Sequence, residues 1–386
     1  MTKDNQDSGL RLSQLQGFLR QDPANTALRA DVFDAALAAG DFGEAGYQVA
    51  QALHANPADA GWLQRESLLL LAQGHYPQAE VALTGLIEAG HGDPATHYNL
   101  AYAQFGQGRH AKAQEALGSL RDDPGELGGL AWTLWLRCEH HLLHLEEGLQ
   151  SFMEALTHRL LPAEAWGVAS LMAIDANRLE DAKTWSEHAL KVDPDQLEAL
   201  VASGSLAIGR QAVQPALERF EHALRINPRD GRSWSGLAFT HLLNLDFQNA
   251  EQAFKKAVGA MPDHIGTWIG LGWCEFLAQR PQEAQAAFEQ ALALDRNFGE
   301  SHGALAVVLA QLGQRERAKN EIDLAIHLDP KGLSARYAQA LLGGEANDPT
   351  AFLRMARRAL AQHPAPFPGE HGTARTLADV VLRFRR

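Results

Sequence analysis

One short segment of the chain places a thiol and three imidazoles at spacings that could hold a metal ion. It runs from Cys138 to His144 and includes His140 and His141. Residues three or four positions apart share one face of a helix, as pairs of zinc ligands often do. A closed zinc site needs three or four converging ligands, and the chain has no HExxH motif and no paired CxxC motif. We therefore expect no cofactor and no metal, and His140, His141 and His144 remain weak metal candidates.

The glycine and nucleophile motifs of other enzyme classes also fail to predict a catalytic site. The sequence GLGW at 270–273 lies inside an apolar helical pattern and not between a strand and a helix. It therefore predicts helix packing and not a dinucleotide-binding loop. The chain has neither a GxxxxGK[ST] phosphate-binding loop nor a GxSxG nucleophile elbow. We predict that the protein is not an enzyme, with metal-dependent activity at 138–144 as the alternative.

The elements that would have to position any site follow a 34-residue period. The period is marked by prolines at 23, 57, 194, 228, 262, 330 and 364, and Arg296 stands where one further proline would fall. A period of this length is typical of a helix–turn–helix repeat. Proline suits the position after a second helix, because the residue before a proline avoids the helical region.

Two consecutive blocks, 231–264 and 265–298, show the repeat most clearly when the proline is numbered position 32. They share Trp at position 4, Leu at 7, a small residue at 8, Ala at 20, Phe at 24 and Ala at 27. Small residues at 8, 20 and 27 allow two antiparallel helices to approach closely, and the large residues fill the space between them. The matching pairs are Trp234 and Trp268, Leu237 and Leu271, Ala238 and Gly272, Ala250 and Ala284, Phe254 and Phe288, and Ala257 and Ala291.

This pattern resembles the tetratricopeptide repeat family, which has the same residue types at the same spacing. The resemblance implies an all-α, right-handed superhelical solenoid of about ten helix pairs with N- and C-terminal capping helices. We predict the following segments: an N-terminal cap helix in 1–25, repeats 1–2 in 26–93, irregular repeats 3–4 in 94–162, repeats 5–10 in 163–366, and a basic C-terminal tail helix in 367–386.

The middle of the array interrupts the proline spacing. Prolines at 57, 94, 124, 162 and 194 are separated by 37, 30, 38 and 32 residues. We place the extra residues at 90–94, at 142–147 and at 159–162. The first and last of these segments are connections between repeats that contain glycine or proline, where a kink is favoured.

In the family, the first helices of successive repeats line a concave groove, and position 9 of each repeat is expected to face solvent. Position 12 is expected to pack between first helices; it includes Cys138. Our numbering puts these residues at position 9: Asp34, Leu68, Tyr102, Trp135, Leu171, Ser205, Phe239, Trp273 and Val307. Most of them are apolar, and large exposed apolar patches usually mark an interface.

The resemblance therefore implies an apolar-lined groove that binds a peptide or helix of a partner protein. Asn99 stands where family members often carry an Asn that hydrogen-bonds the backbone of the ligand. There are two alternatives. A tight superhelix could bury the position-9 side chains within the array, or the basic C-terminal tail could occupy the groove. The predicted partner-binding residues are Tyr98, Asn99, Tyr102, Phe105, Trp132, Trp135, Phe239, Trp273 and Phe276.

Charged residues refine the expected ligand. The family's clamp for a C-terminal carboxylate is not expected, because the bases at the relevant positions, Arg65 and Arg232, lie far apart along the array. Acidic side chains on the predicted groove side favour a ligand with basic residues beside its apolar anchors. These acids are Glu164, Asp175, Glu198 and Glu300.

The formal net charge of −13 is unevenly distributed and argues against nucleic-acid binding. Residues 351–386 carry a net charge of +5, and the other 350 residues carry −18. The basic end could dock on the acidic body or on an acidic partner, or lie in solvent.

The remaining composition describes an ordinary soluble protein. The polar N-terminal sequence has no apolar segment of a signal peptide, and no stretch is long and apolar enough to cross a membrane. We expect a cytoplasmic location, no membrane insertion and, from the Ala-, Leu-, Gln- and Gly-rich composition, a bacterial source. The predicted function is a protein-interaction scaffold or adaptor. The alternative is a chaperone-like or regulatory subunit that sequesters a hydrophobic segment in bacterial secretion or surface-structure assembly.

Overall fold

A computed structural model describes residues 3–123 and 125–344. These residues form twenty α-helices and one short 3₁₀ segment at Gly118–Asp122, with no β-strand among them, which confirms the predicted all-α fold. The helices are α1 (Lys3–Gln21), α2 (Thr26–Ala38), α3 (Phe42–Ala55), α4 (Ala60–Ala72), α5 (Tyr76–Glu88), α6 (Pro94–Gly106), α7 (His110–Leu117), α8 (Glu126–His141), α9 (Leu145–Leu156), α10 (Ala163–Asp175), α11 (Leu179–Val192), α12 (Leu197–Gly209), α13 (Val213–Ile226), α14 (Gly231–Leu243), α15 (Phe247–Ala260), α16 (Ile265–Leu277), α17 (Pro281–Leu294), α18 (Gly299–Gln311), α19 (Arg315–Leu328) and α20 (Leu333–Leu342).

Contacts divide the chain into two compact units, Met1–Ala165 and Trp166–Arg386. Within each unit, consecutive helices pack on one another as a series of antiparallel pairs. In the first unit α1 precedes the first pair, and its Leu12 and Leu19 are buried in the same core as Val32 and Phe33 of α2. The second helix of the last predicted repeat and the predicted tail helix of 367–386 lie outside the described residues. No described helix is long and apolar enough to span a membrane.

The turn inside each helix pair repeats with almost constant spacing. A residue with positive φ follows the first helix, and its N–H and the next N–H bond back to the helix, as in a Schellman end. In the first pair, Gly40 donates to the carbonyl of Leu37 at 3.1 Å and Asp41 to that of Ala36 at 2.9 Å. In the nine pairs whose two helices are both described, these residues are Gly40, Gly74, Gly108, Leu143, Asn177, Gln211, Leu245, Gln279 and Gly313, and Gly344, also with positive φ, follows α20. Their spacing is 34 residues at every step except 108 to 143, which is 35, and 313 to 344, which is 31 because α20 is shorter than the other first helices.

The array is therefore more regular than its prolines indicated. Pro94 is the first residue of α6, and Pro162 directly precedes α10, so both lie at the start of a first helix, where proline is favoured. The predicted insertions at 90–94, 142–147 and 159–162 are wrong. The single extra residue of the array lies between Gly108 and Leu143, where α7 is short and the 3₁₀ segment follows it.

This extra residue changes the register of the fourth helix pair. Leu143 donates to the carbonyl of His140 at 3.1 Å, and His144 donates to that of Glu139 at 3.0 Å, as Gly40 and Asp41 do in the first pair. Counting back from Leu143 puts Trp132 at position 4, Trp135 at 7, Arg137 at 9 and His140 at 12. The sequence numbering that put Trp135 at position 9 and Cys138 at position 12 is wrong by two residues.

In the second unit, phenylalanines at position 24 fill spaces left by glycines. The Phe220 ring is fully buried, and a Cβ atom added to Gly204 or Gly236 would lie 2.7 or 2.2 Å from it. Gly204 belongs to α12 of the same pair and Gly236 to α14 of the next. Gly272 makes the same room for Phe288. These contacts confirm the predicted role of small residues in bringing the helices close together.

Position 4 has a polar function that the sequence did not indicate. In five of the described pairs its side chain is hydrogen-bonded to the backbone carbonyl six residues earlier, at the position of the repeating proline, and so ties the pair to the connection before it. The pairs are Trp234 and Pro228 at 2.9 Å, Trp268 and Pro262 at 2.7 Å, Arg29 and Pro23 at 2.9 Å, Arg336 and Pro330 at 3.2 Å, and His302 and Arg296 at 2.9 Å.

Candidate binding surface

An open pocket of about 530 Å³ lies in the first unit, between the α4–α5 turn and α6. One wall is the turn of residues 71–74. The remaining lining comes from aromatic and amide side chains at the start of α5 and along α6. The lining side chains outside the turn are Tyr76, Tyr98, Asn99 and Tyr102.

The N-terminus of α6 fixes where the pocket residues stand. Asp93 accepts a 2.7 Å bond from the N–H of Thr96 and another from its hydroxyl, and Pro94 begins the helix. Hydrogen bonds from the Thr96 side chain and backbone hold the pKa of Asp93 below its usual range. With the helix capped here, Tyr98 and Tyr102 lie four residues apart on one face.

Tyr76 is held against α6 by a glycine. A Cβ atom at Gly106 would lie 2.7 Å from the Tyr76 ring, so only glycine lets this ring approach the helix. The ring meets Tyr102 edge-on, with centroids 6.3 Å apart and planes at 72°. Burial raises the pKa of the Tyr76 phenol. The sequence did not predict Tyr76, because this residue begins the second helix α5. Only the groove positions of first helices were expected to line a binding surface.

Polar groups accompany the aromatic rings of the pocket. Tyr102 is 38% exposed, and Tyr98 and Asn99 are half-buried. Burial raises the pKa of Tyr98, and the positive charge of Arg137 acts on it in the opposite direction. Arg137 stands at position 9 of α8, so its guanidinium lies near Tyr98. The sequence numbering had put the indole of Trp135 at this position. The pocket can accept an apolar side chain and hydrogen-bond a neighbouring backbone.

Phe105 packs away from the pocket, in a cluster with two histidines. Its ring centroid is 5.1 Å from that of His110 and 5.4 Å from that of His141. The two imidazoles stack at 4.5 Å with planes 14° apart. Burial lowers the pKa of His110. We place Phe105 with the contacts between α6, α7 and α8 and not with the pocket.

Trp132 is buried, and Trp135 is half-buried against the core that α6, α7 and α8 share. Trp132 is 8% exposed, and the guanidinium of Arg121 lies over both indole rings. The burial of Trp132 gives no support to its predicted place in an open groove, and the prediction for Trp135 stays a prediction. Arg121 stands in the 3₁₀ segment after α7, which no repeat position predicts.

In the second unit, the predicted aromatic residues contribute unequally to the surface. Phe239 is 37% exposed and meets Phe254 edge-on at 5.0 Å. Trp273 is half-buried against Phe276 and Phe288, each at 5.5 Å, and Phe276 is buried. Phe239 is thus the main exposed ring of this group.

The expectation that position 9 faces solvent is wrong at two further places in this unit. Leu171 is 6% exposed and Val307 is fully buried. Both belong to one continuous core, and α18, which carries Val307, packs against α16, α19 and α20. These two positions therefore fill the space between first helices.

Three of the four predicted groove acids accept hydrogen bonds within the second unit. Asp175 pairs with both terminal nitrogens of Arg232, at 3.3 and 2.8 Å. Glu300 accepts a 2.5 Å bond from the hydroxyl of Ser334, and burial raises the pKa of this carboxyl. Glu164 is exposed, and Glu198 accepts a bond from the side chain of Gln196 at 2.5 Å.

The predicted metal candidates do not converge. Cys138 is fully buried, and burial raises the pKa of its thiol to about 12. His144 is exposed and lies 3.6 Å from a carboxylate oxygen of Glu139. Across 3–123 and 125–344, no three His, Cys, Asp or Glu side chains are placed to share a metal ion. The weak candidates His140, His141 and His144 are therefore not supported as ligands.

Comparison with known proteins agrees with the repeat architecture. Models described as tetratricopeptide repeat match residues 229–297 and, in a second model, 70–126 and 275–343. No curated protein matches the chain.

Several solved structures are similar to parts of the chain. A thermophilic tetratricopeptide repeat protein of Thermus thermophilus is 25% identical, covers 47% of this chain and 99% of its own, and has a TM-score of 0.40. A tetratricopeptide repeat protein from Parabacteroides merdae is 19% identical, with coverages of 64% and 98% and a TM-score of 0.44. Pseudomonas aeruginosa pilF is 18% identical, with coverages of 58% and 97% and a TM-score of 0.43. By the family-model matches and the repeating residues, the segments 70–126 and 229–343 of this chain are tetratricopeptide repeats.

Proposed function

We propose that this protein is an interaction scaffold or adaptor that holds a peptide or helix of a partner protein at the pocket of the first unit. The observation that carries the proposal is the open pocket of about 530 Å³ lined by Tyr76, Tyr98, Asn99 and Tyr102. Rigid aromatic rings bury much area at little entropic cost, and they dominate many protein interfaces. The Asn99 amide can donate to and accept from a peptide backbone.

The expected affinity follows from the size of the pocket. Burying one large apolar side chain contributes about 1.5–3 kcal/mol. Two or three such anchors contribute about 3–9 kcal/mol in total, and the cost of ordering the peptide reduces this, so we expect affinities between the millimolar and micromolar ranges, about −4 to −8 kcal/mol. We propose a binding role and not a catalytic one, because tetratricopeptide repeats generally mediate interactions between proteins. The cytoplasmic location and bacterial source stay predictions from the sequence.

A chaperone-like or regulatory subunit is the second candidate. It is favoured by two exposed apolar side chains at position 9 of successive pairs, Leu68 and Tyr102, which are 37% and 38% exposed. A continuous hydrophobic segment of a partner would cover both. This candidate predicts that Leu68→Ser weakens binding as much as Tyr102→Ala does, whereas a peptide with one anchor in the pocket depends mainly on Tyr102.

Selection of peptides from a random library on the full chain tests the proposal. We expect peptides with an aromatic or large aliphatic anchor, and we expect Tyr102→Ala to weaken their binding by at least about tenfold, or about 1.4 kcal/mol. Tyr47→Ala is the matched control, because Tyr47 is 56% exposed but lies on the second helix α3. Titration calorimetry measures both variants. Equal affinity of the selected peptides for wild type and Tyr102→Ala would overturn the proposal.

A further inference from the structure

A second cluster in the first unit brings two guanidinium groups to two indole rings. Trp132 and Trp135 meet edge-on, with centroids 5.4 Å apart. The guanidinium carbon of Arg121 lies 5.0 Å from the first ring centroid and 4.3 Å from the second. The guanidinium carbon of Arg159 lies 5.9 Å from the Trp132 centroid. The pocket described above uses none of these four residues.

Trp132 lacks the hydrogen-bond acceptor that its position normally provides. Trp234 and Trp268, at the same position, donate to carbonyls six residues earlier. The residue six positions before Trp132 is Glu126, which is the first residue of α8. The carbonyl of Glu126 therefore points along the helix axis and not toward the indole. The early start of α8 thus removes the acceptor. Trp132 is 8% exposed, and its Nε1–H has no hydrogen-bond partner among the described residues. A buried donor without a partner is costly and calls for a ligand, an ion or water.

The Arg121 side chain is held mainly by stacking. It is half-buried, and burial lowers the pKa of its guanidinium, while the carboxylates of Asp122 and Glu139 act on it in the opposite direction. Within residues 3–123 and 125–344, the guanidinium of Arg121 has no hydrogen bond or ion pair. A long side chain held in this way can rotate toward an incoming anion without breaking a stronger contact.

Arg159 supplies the second charge and is fixed in place. Its Nη1 donates to the backbone carbonyl of Arg121, and its Nη2 lies 4.0 Å from the exposed carboxylate of Asp122. The cluster therefore presents two guanidinium groups and one indole N–H, and the nearby acids are the exposed Asp122 and the buried Glu139. Groups of this kind suit an oxyanion, because guanidinium forms charge-assisted bonds to paired oxygens.

We propose that Arg121, Arg159 and the indole N–H of Trp132 bind a carboxylate group. Arg121 rotates from its stacked position, so that one carboxylate oxygen accepts from Trp132 and the other from the guanidinium groups. A carboxylate is favoured over a phosphate, because residues 1–165 contain twenty-one Asp and Glu against ten Lys and Arg and repel a dianion more strongly. The site is separate from the Tyr102 pocket and does not depend on it.

The indole N–H signals of the full, ¹⁵N-labelled chain test the proposal. The chain has eight tryptophans, and Trp132→Phe identifies the signal of Trp132. We expect sodium acetate, titrated against sodium fluoride at equal ionic strength, to shift the Trp132 signal until it saturates. The signals of Trp234 and Trp268 are internal controls and stay in place, because these indoles already donate to carbonyls.

Two variants decide whether the shift comes from the proposed site. Arg121→Gln and, separately, Arg159→Gln should weaken acetate binding by about tenfold or more, since each removes a charge-assisted bond. The other indole signals report that each variant is folded. A Trp132 signal that does not saturate, or that responds equally in both variants and the wild type, overturns the proposal.

Two further probes identify the ligand. Inorganic phosphate that binds more tightly than acetate overturns the assignment to a carboxylate. Acetyl-phenylalanine that binds more tightly than acetate assigns the site to the C-terminal residue of a peptide, whose ring would contact the indoles. Equal affinity of the two carboxylates assigns it to a small free carboxylate. Tyr102→Ala leaves all these titrations unchanged, so failure here is distinct from failure at the pocket.

Discussion

At the scale of single residues, close helix packing in the second unit depends on glycines beneath phenylalanine rings. Gly236 is the tightest case, because a Cβ atom there would lie 2.2 Å from Cε1 and Cζ of Phe220. Phe220 is fully buried and cannot move aside without disturbing α12 and α14. The glycine at this position is therefore required by contact with a neighbouring ring and not by a special backbone angle.

We predict that Gly236→Ala lowers the free energy of unfolding by about 1–3 kcal/mol, the usual cost of overpacking a core. Gly259→Ala is the matched control, since nothing lies within 4 Å of its added Cβ atom and alanine is favoured in a helix. This control should leave stability unchanged or raise it slightly. Urea unfolding of the full chain, followed by circular dichroism, measures both. A Gly236→Ala protein as stable as Gly259→Ala would contradict the packing described here.

At the scale of elements, α6, α7 and α8 meet at the stacked imidazoles of His110 and His141. Burial lowers the pKa of His110, and its Nδ1 has no hydrogen-bond partner among the described residues. The folded state therefore favours the neutral ring. Its contribution to stability is fully present above the unfolded pKa of about 6.5 and is lost as the pH falls below that value.

We predict that the thermal midpoint of the wild type falls between about pH 7 and pH 5, and that His110→Phe falls less over the same range. Phenylalanine keeps the ring stack with Phe105 and His141 but cannot be protonated. Differential scanning calorimetry at a series of pH values gives the comparison. His222→Phe is the control, because this half-buried imidazole pairs with Asp195 and is far from the stack in sequence. Parallel curves for the wild type and His110→Phe would rule out this role.

At the scale of the whole molecule, the sequence predicted the fold because each repeat buries the same residue types at the same spacing. Gly204, Phe220 and their equivalents at positions 8 and 24 recur, and packing requires them. The register of α8 could not be predicted in the same way. The extra residue lies where the short α7 is followed by the 3₁₀ segment, which no repeat position marks, and Pro94 resembles the repeating prolines although it begins a helix.

The site was predicted in part for similar reasons. Tyr98, Asn99 and Tyr102 lie on one face of a regular helix, so their common surface follows from periodicity. Tyr76 depends on the missing side chain at Gly106, a contact between two helices that spacing does not report. The glycines at 40, 74, 108 and 313 carry the turn period and could have shown that the array contains a single extra residue.

The acidic charge of the first unit predicts the composition of its ligands. Its twenty-one acids and ten Lys and Arg should attract peptides with basic residues beside the anchor of the pocket. We expect peptides selected on the chain to be enriched in Lys and Arg, and we expect their affinity to fall as salt rises, because the Debye length shortens from about 10 Å at 0.1 M to about 3 Å at 1 M. Calorimetry over a salt series measures this. Selection of mainly acidic peptides would contradict it.

The central claim, that a partner segment occupies the α4–α6 pocket, is tested most directly by site-specific photo-crosslinking. The photoreactive residue p-benzoylphenylalanine replaces Tyr102 in one protein and Tyr47 in another, and each is irradiated with the same selected peptide. Both positions are exposed, at 38% and 56%, so both can react if the peptide reaches them. We predict a covalent adduct at position 102 that unlabelled peptide competes away, and none at position 47. Equal adducts at both positions, or an adduct only at position 47, would contradict the account.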